Sequence, residues 1–99
     1  MFASVTSVRG GGPRIAETVR MAADSMLDWL RQFDGYKGLV VLADGEAGTA
    51  RIVSLWETRE AADRSARART QVRESMVAAA GVDLETVELY EVVLDDRIG

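Results

Sequence analysis

The sequence contains neither cysteine nor histidine. Their absence excludes disulfide bonds, thiolate nucleophiles, zinc sites built from these residues, Ser-His-Asp triads and histidine-ligated haem. The spacing of the aspartates and glutamates does not match a calcium-binding EF-hand loop either. We therefore expect no bound metal ion and no cofactor.

Long apolar runs and an excess of basic residues are also lacking. No run approaches the roughly 20 apolar residues that cross a membrane, and the first ten residues lack the basic start and apolar middle of a signal peptide. The net charge is -4, which opposes nonspecific binding to DNA or RNA because such binding needs a basic surface. The sequence thus predicts a cytoplasmic protein with neither a membrane nor a nucleic-acid partner.

The composition that is present is that of one globular domain, residues 1–99, with 47% apolar and 28% charged residues. A chain of this length buries only about 60 to 65% of the surface that it exposes when unfolded. A partner subunit would bury more of that surface. Oligomerisation is therefore favoured.

Hydrophobic periodicity predicts six elements in the order β-α-β-β-α-β. The predicted strands are Phe2–Arg9, Leu39–Ala43, Thr49–Glu57 and Leu84–Leu94. The predicted helices are Ile15–Phe33 and a second one that Thr58 caps and Gly81 ends. The expected inward residues of the first helix are Ile15, Val19, Ala22, Met26, Leu30 and Phe33.

This order predicts the fold class α+β, with two right-handed β-α-β units in one antiparallel four-stranded sheet. In that ferredoxin-like βαββαβ sandwich both helices cover the same face of the sheet. The opposite face is expected to be apolar, because consecutive residues of a strand point to opposite faces and both alternatives are apolar. The residues that point away from the helices must be Val40 or Val41 on the second strand, and either Val53 with Leu55 or Ile52 with Trp56 on the third. A second copy of the chain, packed sheet against sheet, would cover it, and we expect a homodimer.

The second helix is expected to have small residues on its inward side. These are Ala61, Ser65, Ala68 and Ala79, together with Val72 and Met76. Beside this stripe lie Arg69 and Arg73, which have no acidic residue at helical spacing. The two arginines are candidates for holding a ligand carboxylate or an acid of a partner; the alternative is an exposed pair without a role.

Aromatic residues suggest a ligand pocket between the helices and the sheet. Trp29, Trp56 and Tyr90 are its candidate lining, and Ser4, Thr6 or Ser54 would supply polar contacts to a planar ligand. The alternative is that these rings only fill the core. A third candidate is the Gly10–Gly12 loop before Pro13 and Arg14, which offers backbone N–H groups to an anion. It lacks the lysine of a P-loop and the spacing of the dinucleotide-binding fingerprint, which favours a flexible connecting loop.

Three segments carry a resemblance to a known family. They are the helix end Phe33-Asp34-Gly35-Tyr36-Lys37-Gly38, the strand Leu39-Val40-Val41-Leu42, and the run Ser54-Leu55-Trp56-Glu57-Thr58-Arg59-Glu60-Ala61. Together they resemble the antibiotic biosynthesis monooxygenase type of dimeric α+β barrel. The resemblance implies the same fold and a dimer.

The resemblance also implies a chemistry, the oxidation of small phenolic or quinone-like compounds by dioxygen without metal or flavin. Haem-degrading relatives use a histidine and a tryptophan on the second helix, where this chain has Ser65 and Ser75, so haem degradation is disfavoured. The chain has no asparagine, a pocket residue of several active members. The function implied is a cofactor-independent monooxygenase for a small aromatic compound; the alternatives are a non-catalytic binding module and a structural dimer.

Overall fold

The computed structural model describes residues 1–96, except for the side chains of residues 71–73, 75–77 and 79–80. The predicted element order is confirmed. The strands are β1 (Phe2–Gly10), β2 (Tyr36–Asp44), β3 (Thr49–Trp56) and β4 (Val82–Glu91). The helices are α1 (Ile15–Leu30) and α2 (Arg59–Ala80), with a single 3-10 turn at Gly12–Arg14 before α1.

Several element ends differ from the prediction, most of all at α1, β2 and β4. The helix α1 ends at Leu30 and not at Phe33, because the chain turns there, with the Phe33 N–H donating to the Leu30 carbonyl at 3.1 Å. That turn lets β2 begin at Tyr36. The strand β4 begins directly after Gly81 and ends at Glu91, so residues 92–94 lie beyond it.

The four strands form one antiparallel sheet in the order β2-β3-β1-β4. The register shifts between Ser7 and Val8 on β1, where Ser7 pairs with Thr86 and Val8 with Leu84. This β-bulge leaves Glu85 without a pairing partner on β1, and its carboxylate binds Arg9 instead. The order and pairing are those of the ferredoxin-like fold that the sequence predicts.

Both helices pack on one face of the sheet, which we call the helix face. The helix α1 lies over β2 and β3, and α2 lies over β4, β1 and β3. One buried cluster under α1 joins Val8, Ile15, Val19, Ala50 and Val82. A second cluster, between the end of α1 and the start of α2, joins Leu30, Trp56, Ala61 and Ala62.

The inward stripes of the helices are rotated slightly from the predicted ones. In α1 the buried alanine is Ala23, and Ala22 is half-buried. In α2 Ala61 and Ser65 are buried as predicted, but Ala68 is exposed and Arg69 is buried in its place. Residues 61, 65 and 69 follow each other at i,i+4 spacing and so lie on one line of the helix. The predicted inward residues Val72, Met76 and Ala79 lie outside the described side chains.

On the opposite face of the sheet, which we call the open face, no helix of the described residues packs. The three rows of the open face across the strands are Leu42-Arg51-Ser7-Thr86, Val40-Val53-Val5-Glu88 and Gly38-Leu55-Ala3-Tyr90. Val40, Leu42 and Tyr90 are exposed there. The predicted apolar character of this face is thus seen on β2 and β3, whereas β4 contributes Glu88 and Thr86.

The start of α2 is fixed by its cap and by a close packing contact. The Ala61 N–H donates to Thr58 Oγ1 at 3.1 Å, which confirms Thr58 as the cap. Gly35, at the turn before β2, lies against Ala61 and accepts a hydrogen bond from the Glu57 N–H at 2.7 Å. Over the range that the structure describes, no helix is long and apolar enough to cross a membrane.

Candidate functional site

A buried arginine is the central feature between α2 and the sheet. The side chain of Arg69 is only 5% exposed. Its guanidinium lies over the ring of Trp56, with Cζ 5.4 Å from the ring centroid. A desolvated cation–π contact of this kind contributes about 2 kcal/mol. The contact keeps a permanent positive charge at one place inside the fold.

Serine hydroxyls and one carbonyl hold the guanidinium in that place. Nη1 of Arg69 donates to Ser54 Oγ at 3.3 Å, and Nη2 donates to Ser65 Oγ at 3.3 Å. Nε donates to the Ser65 carbonyl at 3.2 Å. Ser54 Oγ also accepts a hydrogen bond from Trp56 Nε1 at 2.9 Å. These four residues, Ser54, Trp56, Ser65 and Arg69, form what we call the Arg69 cluster.

Two elementary periodicities assemble this cluster. Ser54 and Trp56 are two residues apart on β3, so both side chains point to the helix face. Ser65 and Arg69 are four residues apart on α2, so they lie one above the other on the side of the helix that faces β3. The predicted candidates Ser54, Trp56 and Arg69 are therefore brought together. Ser65, not among the predicted pocket residues, could have been found from its i,i+4 spacing to Arg69.

Three further aromatic rings, those of Trp29, Phe33 and Tyr36, pack against the buried cluster of Trp56. Phe33 and Tyr36 meet the Trp56 ring edge to face, with ring centroids 6.2 and 5.6 Å away. The ring centroids of Trp29 and Phe33 are 4.8 Å apart, and both side chains pack against the buried cluster that contains Trp56. Burial raises the pKa of Tyr36, although the nearby Arg31 lowers it in part, so the phenol stays neutral at physiological pH. Trp56 itself is fully buried, and its ring supports Arg69.

Two further hydroxyls lie on the helix face of the central strand β1. Ser4 and Thr6 are 5% and 6% exposed. Ser4 is the direct partner of Ser54 in the sheet, and Thr6 follows two residues along the same face. The buried polar groups Ser4, Thr6, Ser54, Ser65 and Arg69 thus form a continuous strip between α2 and the sheet.

The strip is least covered at the β4 edge of the sheet. On β4, Val87 pairs with Thr6 and Leu84 pairs with Val8, so both side chains are on the helix face. Each of the two is nevertheless 40% exposed. Solvent therefore reaches the β4 side chains next to Thr6, while Thr6 itself is buried.

Tyr90 does not join this site, contrary to the prediction. Tyr90 pairs with Ala3, whose other partner is Leu55, so all three side chains lie on the open face. Trp56 follows Leu55 on β3 and therefore points to the helix face. The Tyr90 side chain is exposed and its hydroxyl donates to Glu88 Oε2 at 2.8 Å, which raises the pKa of Tyr90. The strict alternation of a β-strand separates it from the Arg69 cluster.

Of the other candidates, Arg73 belongs to α2, but its side chain lies outside the described residues. The Gly10–Gly12 loop borders a surface groove of about 1030 Å³ that also contains Asp44 and Glu46. The Gly10 N–H already donates to the Gly48 carbonyl at 2.8 Å, and the two carboxylates oppose an anion. Across the described part of the chain, no group of three aspartates or glutamates is placed to hold a metal ion.

Comparison with solved structures finds the same fold in several proteins. A provisionally named antibiotic biosynthesis monooxygenase from Deinococcus radiodurans has a TM-score of 0.71 and 21% identity, covering 100% of this chain and 99% of its own. A monooxygenase from the gene ActVA-Orf6 of Streptomyces coelicolor, in complex with nanaomycin D, has a TM-score of 0.69 and 16% identity over 98% of this chain and 89% of its own. A dimeric ferredoxin-like protein from an uncultured marine organism has a TM-score of 0.71 and 10% identity over 96% and 97%.

Comparisons with protein-family models and with curated protein sequences give no match. The structural likeness covers nearly the whole of this chain and of the proteins that it matches. At identities of 10 to 21% it shows the fold. The resemblance seen in the sequence is thereby confirmed at the level of architecture.

Proposed function

We propose that this chain, which has the fold of structures named antibiotic biosynthesis monooxygenases, is a cytoplasmic, cofactor-independent monooxygenase for a small planar aromatic compound. The ligand would lie between α2 and the sheet, beside the Arg69 cluster. The solved monooxygenase of Streptomyces coelicolor binds nanaomycin D on the same fold. That complex supports a small-molecule ligand for this chain as well.

The observation that carries the proposal is the placement of Arg69. A guanidinium buried at 5% exposure, held by two serine hydroxyls and supported by the ring of Trp56, is a positive charge at a fixed position between α2 and the sheet. Such a charge favours the anionic form of a bound phenol and any negative charge that develops on it. Ser54 fixes the orientation of the guanidinium, and Trp56 keeps water from it.

The proposed reaction needs dioxygen as its only co-reactant. A phenol with a hydrogen on the carbon opposite its hydroxyl loses the phenolic proton, and that carbon forms a bond to one oxygen atom. The second oxygen atom leaves as water, and the product is a quinone. The ring supplies all four electrons that dioxygen accepts, so neither metal nor flavin is required. In this scheme Arg69 stabilises the phenolate from which those electrons come.

Binding and turnover are tested separately with a panel of hydroxylated naphthalenes. Ligands of the native state should raise the melting temperature of the protein, and substrates should in addition cause oxygen uptake, with label from isotopic dioxygen in the product. The variant Arg69→Gln should lose both effects. Arg67→Gln, an exposed arginine on the same helix, should keep them. Absence of both effects in the unmodified protein would refute the proposal, and stabilisation without oxygen uptake would identify a non-catalytic binding module.

We further propose that the chain forms a homodimer through the open face of the sheet. Val40, Leu42, Val53 and Leu55 present apolar surface there, and a protein of the same fold is dimeric. Size-exclusion chromatography with light scattering should give twice the chain mass. Val53→Asp should dissociate or unfold the dimer because an unpaired buried charge costs several kcal/mol. Ala16→Asp, on the exposed side of α1, should leave it intact.

A further inference from the structure

The hydroxyls of Ser4 and Thr6 are buried without a hydrogen-bond partner among the residues that the structure describes. Each side chain is more than nine-tenths buried. Burying a hydroxyl without a partner destabilises a protein, and buried polar groups in native folds are nearly always paired. Alanine or valine at these positions would fill the same space without that cost.

Their position relates them to the ligand site. Ser4 is paired with Ser54, and directly paired residues on one face have Cβ atoms about 4.5 to 5.5 Å apart. Thr6 is one step further along β1, away from Trp56 and beside Val87, which is 40% exposed at the β4 edge. A flat molecule entering at that edge would therefore meet Thr6 first, then Ser4, and reach Arg69 and Ser54 with its far end.

We propose that Ser4 and Thr6 form a second polar subsite, which binds an oxygen substituent at the opposite end of a ligand whose first oxygen faces Arg69. A hydroxyl group can donate or accept, so the subsite suits either a ring hydroxyl or a carbonyl. The site then selects planar aromatic compounds with two separated oxygen substituents over those with one. This inference rests on the proposed ligand site and specifies the chemical class of its ligand.

The test compares two ligands that differ in one hydroxyl. Dihydroxynaphthalene, with one hydroxyl on each ring, and naphthol are titrated calorimetrically into the unmodified protein and into the double variant Ser4→Ala/Thr6→Val. The unmodified protein should bind the diol about three- to tenfold more tightly, as expected for one net hydrogen bond. The double variant should bind both compounds with the affinity that the unmodified protein has for naphthol. Ser7→Ala, on the same strand but on the open face, should keep the preference.

Thermal unfolding supplies a second readout. Because neither hydroxyl is hydrogen-bonded within the described part of the chain, Ser4→Ala/Thr6→Val should melt at the same temperature as the unmodified protein or above it. A clear fall in melting temperature would show that the hydroxyls support the fold, and it would overturn the subsite. Equal affinity of the unmodified protein for diol and naphthol would overturn it too. If neither compound binds at all, the proposed function fails along with the subsite, which distinguishes that case from the others.

Discussion

The contact between Gly35 and Ala61 predicts a large cost for one added methyl group. Gly35 has a φ of +87°, and a Cβ built on it would lie 2.7 Å from the Ala61 Cβ. Forcing a residue with a Cβ into this left-handed conformation costs roughly 1–2 kcal/mol. Overpacking against a rigid neighbour adds about 1–3 kcal/mol. Gly35→Ala should therefore destabilise the protein by about 2–5 kcal/mol, a large share of the typical 5–15 kcal/mol of a small domain.

The measurement is urea unfolding followed by tryptophan fluorescence, with one control for the backbone cost and one for the packing cost. Gly48 has a φ of +67°, and an added Cβ would meet nothing within 4 Å among the described residues. Gly48→Ala should thus cost only the roughly 1–2 kcal/mol of the backbone term. Ala61→Gly should relieve Gly35→Ala, giving a coupling energy of about 1–3 kcal/mol in a double-mutant cycle. If Gly35→Ala costs no more than Gly48→Ala, the packing argument is wrong.

The remaining predictions concern the helix cap, the Arg69 cluster and the open face. Thr58→Ala should lower the free energy of unfolding by about 1 kcal/mol in the same urea assay, because the Ala61 N–H loses its acceptor. Ser54→Ala should cost about 1–3 kcal/mol, since it leaves a buried indole N–H unpaired. Glu88→Gln should bring the raised pKa of Tyr90 down towards its ordinary value, seen as earlier tyrosinate absorbance in an alkaline titration. With Glu88 present, the hydrogen bond between Tyr90 and Glu88 stabilises the fold below the ordinary tyrosine pKa. This stabilisation is lost as the pH rises through the raised pKa of Tyr90.

The architecture could be predicted because local patterns and topology agree. Turn residues separate the apolar runs, Thr58 and Gly81 mark the ends of α2, and a β-α-β-β-α-β order has one common arrangement. The ends were harder to predict. Phe33 fits the apolar spacing of α1, although the helix stops at Leu30. The turn after Leu30 places the Phe33 ring against Trp56, which a continued helix would also do, so the spacing does not show where the helix ends.

The site was only partly predictable, since its partners come from different elements. Nothing in α2 alone says that Arg69 is buried and Ala68 exposed; the hydroxyl of Ser54 and the ring of Trp56, on β3, make that burial favourable. The face on which Tyr90 lies depends on the register of β4 against β1, and a bulge shifts that register. A single sequence records neither the pairing nor the bulge.

The bulge at Glu85 also bears on how the length of this protein can change. With two residues of β4 opposite one of β1, Leu84 and Val87 lie on the same side although they are three apart in the chain. Deleting Glu85 would remove its ion pair with Arg9 but keep the pairing of Val8 with Leu84 and of Ser7 with Thr86. The strand can therefore lose one residue at this position without transferring an apolar side chain from one side of the sheet to the other.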